Sequence, residues 1–361
     1  MVGRAEIARI ASGYGGARIG VLGSHSALEV MDGAKDEGLE TVVFCQRGRE
    51  EPYRRFGRIA DEVVVLDRFS DMASPGIQRM MRETETLIVP HRSLTAYLGY
   101  GAVEGLRVPI FGNRGMFRAE ERTARRGQYY LLRRAGIRHP RILKPGSIDG
   151  PCIVKVQERG RPLERAFFVA TSAKDYREKC AERIRAGLVS ERGVREAVVE
   201  ELVIGTYMNF NFFHTPISDQ VDFLGIERRL QTNIHDYVSM PARQQLEADV
   251  ELQNIEVGHT PASIRESLLE KVISMGDRFV EAAAGAYPPG VVGPFSLQGV
   301  ITRDLEIVIY DVSLRVPGNP ILATTSPYTK YQYGETFGVG RRIAMEVRRA
   351  LREDRLAEVV T

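Results

Sequence analysis

The sequence predicts a chain of mixed α/β and α+β class: a parallel, doubly wound sheet first, a small two-layer unit next, and a larger antiparallel layer last. Three observations carry that expectation. Strands and helices alternate at short spacing over residues 1–115, the pattern that builds a parallel sheet with helices on its faces. Pro140, Pro145 and the Gly150-Pro151 pair then break the chain ahead of a strand–loop–strand–helix–strand segment, so a second unit is expected over 116–203. From Thr206 onward long β-runs follow one another and close in a hairpin around Arg303-Asp304, which makes 204–361 the third unit.

In the first unit a short amphipathic helix at 5–12 precedes ARIGVLGSHSALEVMDGAKDEGLETVVFCQ, read as strand, Gly-Ser-His turn, helix and strand. Strands follow at 62–66, 86–90 and 108–111, with helices at 76–82 and 94–99. Ligands of such sheets lie at the carboxyl ends of the strands, which points to Gly23, Ser24 and His25 and to the loop His91-Arg92-Ser93. Because the first of these turns opens a helix, its amides and the Ser24 hydroxyl either receive an anion or cap the helix.

A basic helix is expected over 120–135. In the second unit, strands at 152–156, 167–170 and 197–202 accompany a helix at 173–186. Lys155 stands in an otherwise apolar strand, and the loop QERGRPLERA at 157–166 is basic; both suit a nucleotide lid, although a lysine near a strand end also snorkels to water. The third unit reads as strands at 207–214 and 220–230, a loop at 232–234, a helix at 262–286, the hairpin, and a terminal helix at 340–351 with one apolar and one arginine-rich face.

Composition bounds the function. With 43% hydrophobic and 27% charged residues the chain is an ordinary globular protein, and a net charge of +3 without charged blocks gives no electrostatic footprint for nucleic acid. No apolar run has the length of a membrane span. Cys45, Cys152 and Cys180 are far apart and lack CxxC spacing, so buried free thiols in a reducing cytoplasm are expected. Seven of the fifty basic residues are Lys and the rest Arg, from which no function follows.

The hairpin GPFSLQGVITRDLEIVIYDVSLRVPGN, residues 293–319, is the strongest candidate for metal chemistry. With a turn of two or four residues, position 298 faces 309, 297 faces 310 and 296 faces 311. Phe295, Leu297, Tyr310 and Val312 then share one face, and Ser296, Gln298, Asp311 and Ser313 the other. Gln298 and Asp311 become diagonal neighbours roughly 7–8 Å apart, near enough to hold one cation between their oxygens. The alternative is a solvated hairpin end with no ligand.

The succession of Rossmann-like sheet, small lid and antiparallel domain resembles the ATP-grasp fold. VLGSHSALEVMDGAKDEGLETVVF, VPHRSLTAYLGY, PIFGNR, QTNIHDYVSMPARQQLE, TPASIRESLLEKV and PPGVVGPFSLQ, in that order, resemble the archaeal formate-dependent 5-formaminoimidazole-4-carboxamide ribonucleotide synthetases, the PurP family. That resemblance implies an ATP-dependent carbon–nitrogen ligase of purine (IMP) biosynthesis that joins formate to the 5-amino group of AICAR through formyl phosphate. It implies a ribonucleotide site at Gly23, Ser24, His25, Ser93 and Asn233, in the unit 1–115 and beyond. It places ATP at Lys155, Glu200, Glu201 and Val203, and magnesium, with manganese as an alternative, at Gln298, Asp311 and Asn319. No protein nucleophile is implied. The family relation further implies a homo-oligomer that takes AICAR and formate as small-molecule substrates, while composition points to the cytoplasm and to neither nucleic acid nor membrane as partner.

Two stretches depart from the family pattern. The lid loop carries one glycine, one proline and three arginines where relatives are glycine-rich, and the hairpin has Asp311 and RVPGNP where relatives have Glu and a longer turn. These departures leave open a paralogue acting on another carboxylate or amine, or a non-catalytic purine-ribonucleotide sensor or subunit.

Overall fold

The structure is a computed structural model and describes residues 2–156, 166–231, 234–248 and 256–361. Its strands are β1 (Arg18–Leu22), β2 (Thr41–Gln46), β3 (Glu62–Leu66), β4 (Thr86–Ile88), β5 (Ile142–Leu143), β6 (Cys152–Val156), β7 (Ala166–Ala170), β8 (Val198–Glu201), β9 (Thr206–Thr215), β10 (Gln220–Gln231), β11 (Glu256–Ala262), β12 (Gly293–Ile301) and β13 (Ile307–Ser313). They form three sheets. The first is parallel in the order β3-β2-β1-β4; the second is antiparallel, β5-β8-β6-β7; the third is antiparallel, β11-β10-β9-β12-β13.

The first sheet is buried on both faces, as parallel sheets are, because Val, Ile, Leu and Phe fill β1 and β2 without alternation. The helix Ala27–Asp36 covers one face, and the terminal helix Val339–Arg352 packs on that helix. The two backbones touch. A Cβ at Gly33 would lie 2.0 Å from the Arg341 amide nitrogen, and one at Gly340 would lie 2.3 Å from the Glu29 carbonyl oxygen. Gly33→Val is therefore expected to destabilise the chain by on the order of 3 kcal/mol, read as a lowered Tm, while Gly76→Ala, in open space, leaves Tm unchanged. Equal Tm values for the two variants would contradict this close crossing.

The third sheet packs the helix Leu269–Ala286 against Phe210, Phe212 and Phe295, with the Phe212 and Phe295 rings stacked at 5.0 Å. All three cysteines are free and buried, as expected. No helix among the described residues is long and apolar enough to cross a membrane.

The structure corrects several sequence expectations. The helix expected over 262–286 begins at Leu269 after a 3₁₀ turn at Glu266–Leu268; Ala262 instead ends β11, an edge strand in which Pro261 is tolerated. The basic helix expected over 120–135 is a 3₁₀ turn at Arg114–Glu120, a tight loop, and a helix only over Gln128–Arg134. A Cβ at Gly127 would lie 2.3 Å from the Glu121 carbonyl oxygen, so that loop closes on itself and interrupts the helix. Residues 108–111 run beside β4 through an Ile88–Ile110 bridge but form no regular strand; Pro109 has no amide to donate. The helix after β1 starts at Ala27 with Ser26 at its cap position, so Ser24 does not cap it.

The hairpin also differs in register. Ser296 faces Ser313, Leu297 faces Val312 and Gln298 faces Asp311, whereas Gly299 faces Ile309. Tyr310 is thus the extra residue of a β-bulge, and Gln298 and Asp311 are direct partners rather than diagonal ones. The bulge also turns Tyr310 away from the Phe295–Leu297 face and into a cavity.

Candidate active site

Between the second and third sheets lies a cavity of about 340 Å³. Ile153, Phe167, Leu202, Tyr207, Val300 and Tyr310 give it apolar walls, while Lys155, Arg122, Arg228 and Arg229 bring cations to it and Glu200, Glu201 and Asn209 bring acceptors. An apolar slot next to converging cations suits a planar base joined to a polyphosphate.

Lys155 projects from β6 and is 4% exposed. Its ammonium donates to Glu200 on the paired strand β8 and lies 5.6 Å from the centre of the Tyr310 ring. Burial pushes the Lys155 ammonium down to about 8, helped by Arg122 and opposed by Glu200. The hydroxyl of Tyr129 donates to the other oxygen of Glu200. Arg122 completes the group: its Nη2 donates to Asp311 Oδ1 at 2.8 Å, and its Nε lies 3.7 Å from Glu200. Burial disfavours the Arg122 charge, but Asp311, Tyr129 and Glu200 outweigh that and raise its pKa.

On the cavity side of the hairpin, the Gln298 amide nitrogen donates to Ser313 Oγ at 3.2 Å. Its oxygen is buried and has no hydrogen-bond partner. A buried acceptor left without a donor beside a carboxylate is what an oxygen-coordinated cation would satisfy. The residues present therefore fit a magnesium ion, with Gln298 and Asp311 as its protein oxygens. Among the described residues no group of three His, Cys, Asp or Glu side chains is gathered for a metal.

A chain of polar contacts leads from the cavity to the first sheet. Asn209 on β9 donates to Glu227, its cross-strand partner on β10, at 2.7 Å. The other oxygen of Glu227 meets His259 Nδ1 at 2.9 Å, and His259 Nε2 meets Glu256 at 2.8 Å. Glu256 also pairs with Arg229 at 3.0 Å. With a carboxylate at each ring nitrogen, His259 must donate from both and is an imidazolium. Burial opposes that charge, yet Glu227 and Glu256 raise its pKa to about 9. Burial likewise opposes the Glu256 charge, but His259 and Arg229 bring its pKa down to about 2.

At the end of this chain stands His25. A Cβ on Gly318 would lie 3.2 Å from His25 Nε2 and 3.4 Å from a Glu256 oxygen, so the glycine leaves both groups room. His25 occupies a left-handed backbone conformation, φ 53°, at the turn after β1. Ser26 Oγ gives its hydrogen to the Pro317 carbonyl at 2.8 Å and so accepts from His25 Nδ1 at 2.7 Å. The neutral ring then keeps a lone pair on Nε2. Burial, reinforced by Arg315, brings the His25 pKa down to about 3. His91 stacks on it at 5.5 Å, and burial brings His91 down to about 4. Ser93 accompanies them, with its hydroxyl donating to Ser24 at 3.1 Å.

Comparison with known proteins decides what this arrangement belongs to. Residues 175–361 match a family model described as Domain of unknown function (DUF1297), and residues 19–143 match one described as Protein of unknown function (DUF1246). The chain is 41% identical, over all of both chains, to the 5-formaminoimidazole-4-carboxamide-1-(beta)-D-ribofuranosyl 5'-monophosphate synthetase of Methanopyrus kandleri. It is 40% identical to the protein of the same name from Methanothermobacter thermautotrophicus, over all of this chain and 99% of that one. The chain belongs to this synthetase family. Its structure is similar to that of the IMP biosynthesis protein PurP from Thermococcus kodakaraensis, with a TM-score of 0.73 and 27% identity over 95% of this chain and 100% of that one. In fold alone it is also similar to an ADP complex of purK, N5-carboxyaminoimidazole ribonucleotide synthetase, with a TM-score of 0.60 and 14% identity over 88% of this chain and 76% of that one. The fold is ATP-grasp.

Within this synthetase fold, the residues picked out by sequence fall into two groups. Lys155, Glu200, Glu201 and Val203 line the cavity; Gln298 and Asp311 stand behind its lining, Gln298 as the cross-strand partner of Asn209 and Asp311 held by Arg122. His25, Ser24 and Ser93 gather at the end of the first sheet. Gly23 is a packing position, since a Cβ there would lie 2.8 Å from Cys45 Sγ. Asn319 is buried, and neither polar atom of its side chain has a hydrogen-bond partner. It follows Gly318 at the His25 end, and the contacts joining Gln298, Asp311 and Ser313 do not include it. Asn233 and the lid loop 157–166 lie outside the residues whose side chains are described.

Sequence reading missed Arg122, Tyr129, Asn209, Glu227, Arg229, Glu256 and His259, while it places Ser313 on the polar face of the hairpin with Gln298 and Asp311. The available signal was polar residues inside otherwise apolar β-runs, as in YMNFNFF, but only the cross-strand pairing of β9, β10 and β11 shows that they meet.

The His259 clamp has a pH signature. Its folded pKa lies above its unfolded value of 6.5, so its stabilisation is complete below about pH 6.5 and is lost as pH rises through about 9. The full effect is on the order of 3 kcal/mol. The unfolding free energy of wild type should exceed that of His259→Gln most below pH 6.5, and the gap should close near pH 9 to 10. A gap that stays constant across that range would mean that His259 is neutral.

Proposed function

We propose that the chain is an ATP- and formate-dependent ligase that formylates the 5-amino group of AICAR to give FAICAR in IMP biosynthesis. The single observation that carries this is the cavity lined by Lys155, Arg122 and Arg229, from which the Arg229–Glu256 pair extends to the neighbourhood of His25. The names of the relatives support the ribonucleotide, and the ADP complex of a protein sharing the fold supports ATP.

ATP takes the cavity, with its base against Ile153, Leu202 and Val203 and its phosphates toward Lys155 and Arg122. A formate oxygen attacks the γ-phosphorus and ADP leaves, which produces formyl phosphate. Such a transfer needs charge neutralisation, alignment and exclusion of water, and no protein nucleophile. Lys155 and Arg122 supply fixed positive charge in a buried setting, where it acts more strongly than in water. Magnesium, held by Gln298 and Asp311 with Asn319 as a further candidate, would supply a Lewis acid on the phosphates.

AICAR is held at Ser24, His25 and Ser93 with its amine toward the cavity. The amine nitrogen attacks the formyl carbon, phosphate leaves and carries off the proton that nitrogen sheds, and the neutral His25 accepts a hydrogen bond at Nε2, whose lone pair the Ser26 contact keeps available. Asn233 is a further contact to the ribonucleotide under the same reading. The exposed side chains Leu246, Val238 and Tyr331 supply apolar surface for a homo-oligomer.

The test is direct. The purified chain, given ATP, magnesium, formate and AICAR, should release ADP and FAICAR in equal amounts. Tight AICAR binding without product would instead favour a non-catalytic ribonucleotide sensor, and turnover only with another acid would favour a paralogue.

A further inference from the structure

We propose that Arg122 and a divalent cation are alternative partners of Asp311, so that metal binding displaces the guanidinium. The inference rests on reading Gln298 and Asp311 as the metal pair. Arg122 Nη2 donates to Asp311 Oδ1 at 2.8 Å, and both side chains are largely buried, at 12% and 15% exposure. A second, separate observation lies across the hairpin: the Gln298 amide oxygen, on the residue that directly faces Asp311, is buried without a hydrogen-bond partner. A guanidinium neutralises Asp311, but any further hydrogen it has must find an acceptor, and Arg122 Nε is itself buried without a hydrogen-bond partner. A cation between Gln298 and Asp311 satisfies the first of these atoms, and a displaced Arg122 is released from the place where the second is left unbonded.

Charge balance points the same way. Lys155 and Arg122 oppose Glu200 and Asp311, two cations against two carboxylates. A dication added to that neutral quartet meets no net attraction unless Arg122 gives way or anionic phosphates arrive with it. Metal affinity in this chain is therefore held low by its own arginine, and nucleotide and metal are expected to bind cooperatively.

The test is manganese binding to the full chain without nucleotide, followed by the electron paramagnetic resonance of free Mn2+, so that the result does not depend on turnover. Arg122→Gln should tighten Mn2+ binding about tenfold. Adding Asp311→Asn to it should remove that gain. Arg122→Lys, which keeps the charge on a compact ammonium, should fall between wild type and Arg122→Gln, and it serves if the glutamine variant does not fold. Adding ADP should narrow the difference between wild type and Arg122→Gln. If Asp311→Asn weakens Mn2+ binding but the Arg122 variants match wild type within twofold, the competition is overturned and the metal pair stands. If Asp311→Asn leaves Mn2+ binding unchanged in both backgrounds, or no variant binds Mn2+ at millimolar concentration, the metal pair fails and the competition with it.

Discussion

Replacing Lys155 with Met should lower kcat/KM for ATP by about 10³-fold, the loss expected when one fixed charge is taken from a buried transition state. The ammonium is 4% exposed, donates to Glu200, and faces a cavity to which Arg122 and Arg229 bring further largely buried cations. Two effects mix in this variant. Removing the lysine leaves Glu200 buried with Tyr129 and a distant Arg122, which should cost about 3–5 kcal/mol of stability. Lys155→Met combined with Glu200→Gln separates them, because the neutral amide no longer needs a counter-cation. The double variant should recover most of the lost Tm and none of the lost turnover. Recovery of turnover along with Tm would reduce Lys155 to a structural partner of Glu200.

Asp311→Asn is the second large effect. The amide keeps an oxygen that accepts from Arg122 and Glu200 remains 3.7 Å from that guanidinium, so the fold should lose about 2 kcal/mol. The negative charge is gone, however, and kcat with magnesium should drop about 10³-fold while ADP affinity measured without metal changes little. Unchanged turnover would remove Asp311 from the reaction and return the hairpin to a structural role.

Much of this molecule was legible before its structure. Helices such as Ala173–Arg185, opened by Ser172 accepting from the Asp175 amide, announce themselves through local chemistry, as do the apolar runs of β1 and β2. The pairing of Gln298 with Asp311 was anticipated in kind but not in register. A bulge places two residues opposite one, and alternation of side chains does not reveal where that occurs. The consequence is chemical: Tyr310 turns to the cavity beside Lys155 instead of into the core with Phe295. The strand Glu256–Ala262 drew no assignment beyond Ala262, which was placed at the start of a helix, because Gly258 and Pro261 weaken its β signal, and with it went His259 and the clamp between two carboxylates. Arg122 was visible only as one charge in a basic run; its meaning comes from the loop that folds it back to Asp311 and Glu200. Non-local pairing made these residues a site, and no local pattern encodes it.

Gly318 leaves the room that lets Glu256 and His25 approach, and on the hairpin Asp311 accepts from Arg122.

The most direct test of the account follows oxygen. With [¹⁸O]formate, ATP, magnesium and AICAR, the chain should transfer one labelled oxygen to inorganic phosphate for each FAICAR formed, because the acid is activated on the γ-phosphate before the amine takes the formyl group. FAICAR formed with unlabelled phosphate, or ADP released while AICAR stays intact, would contradict it.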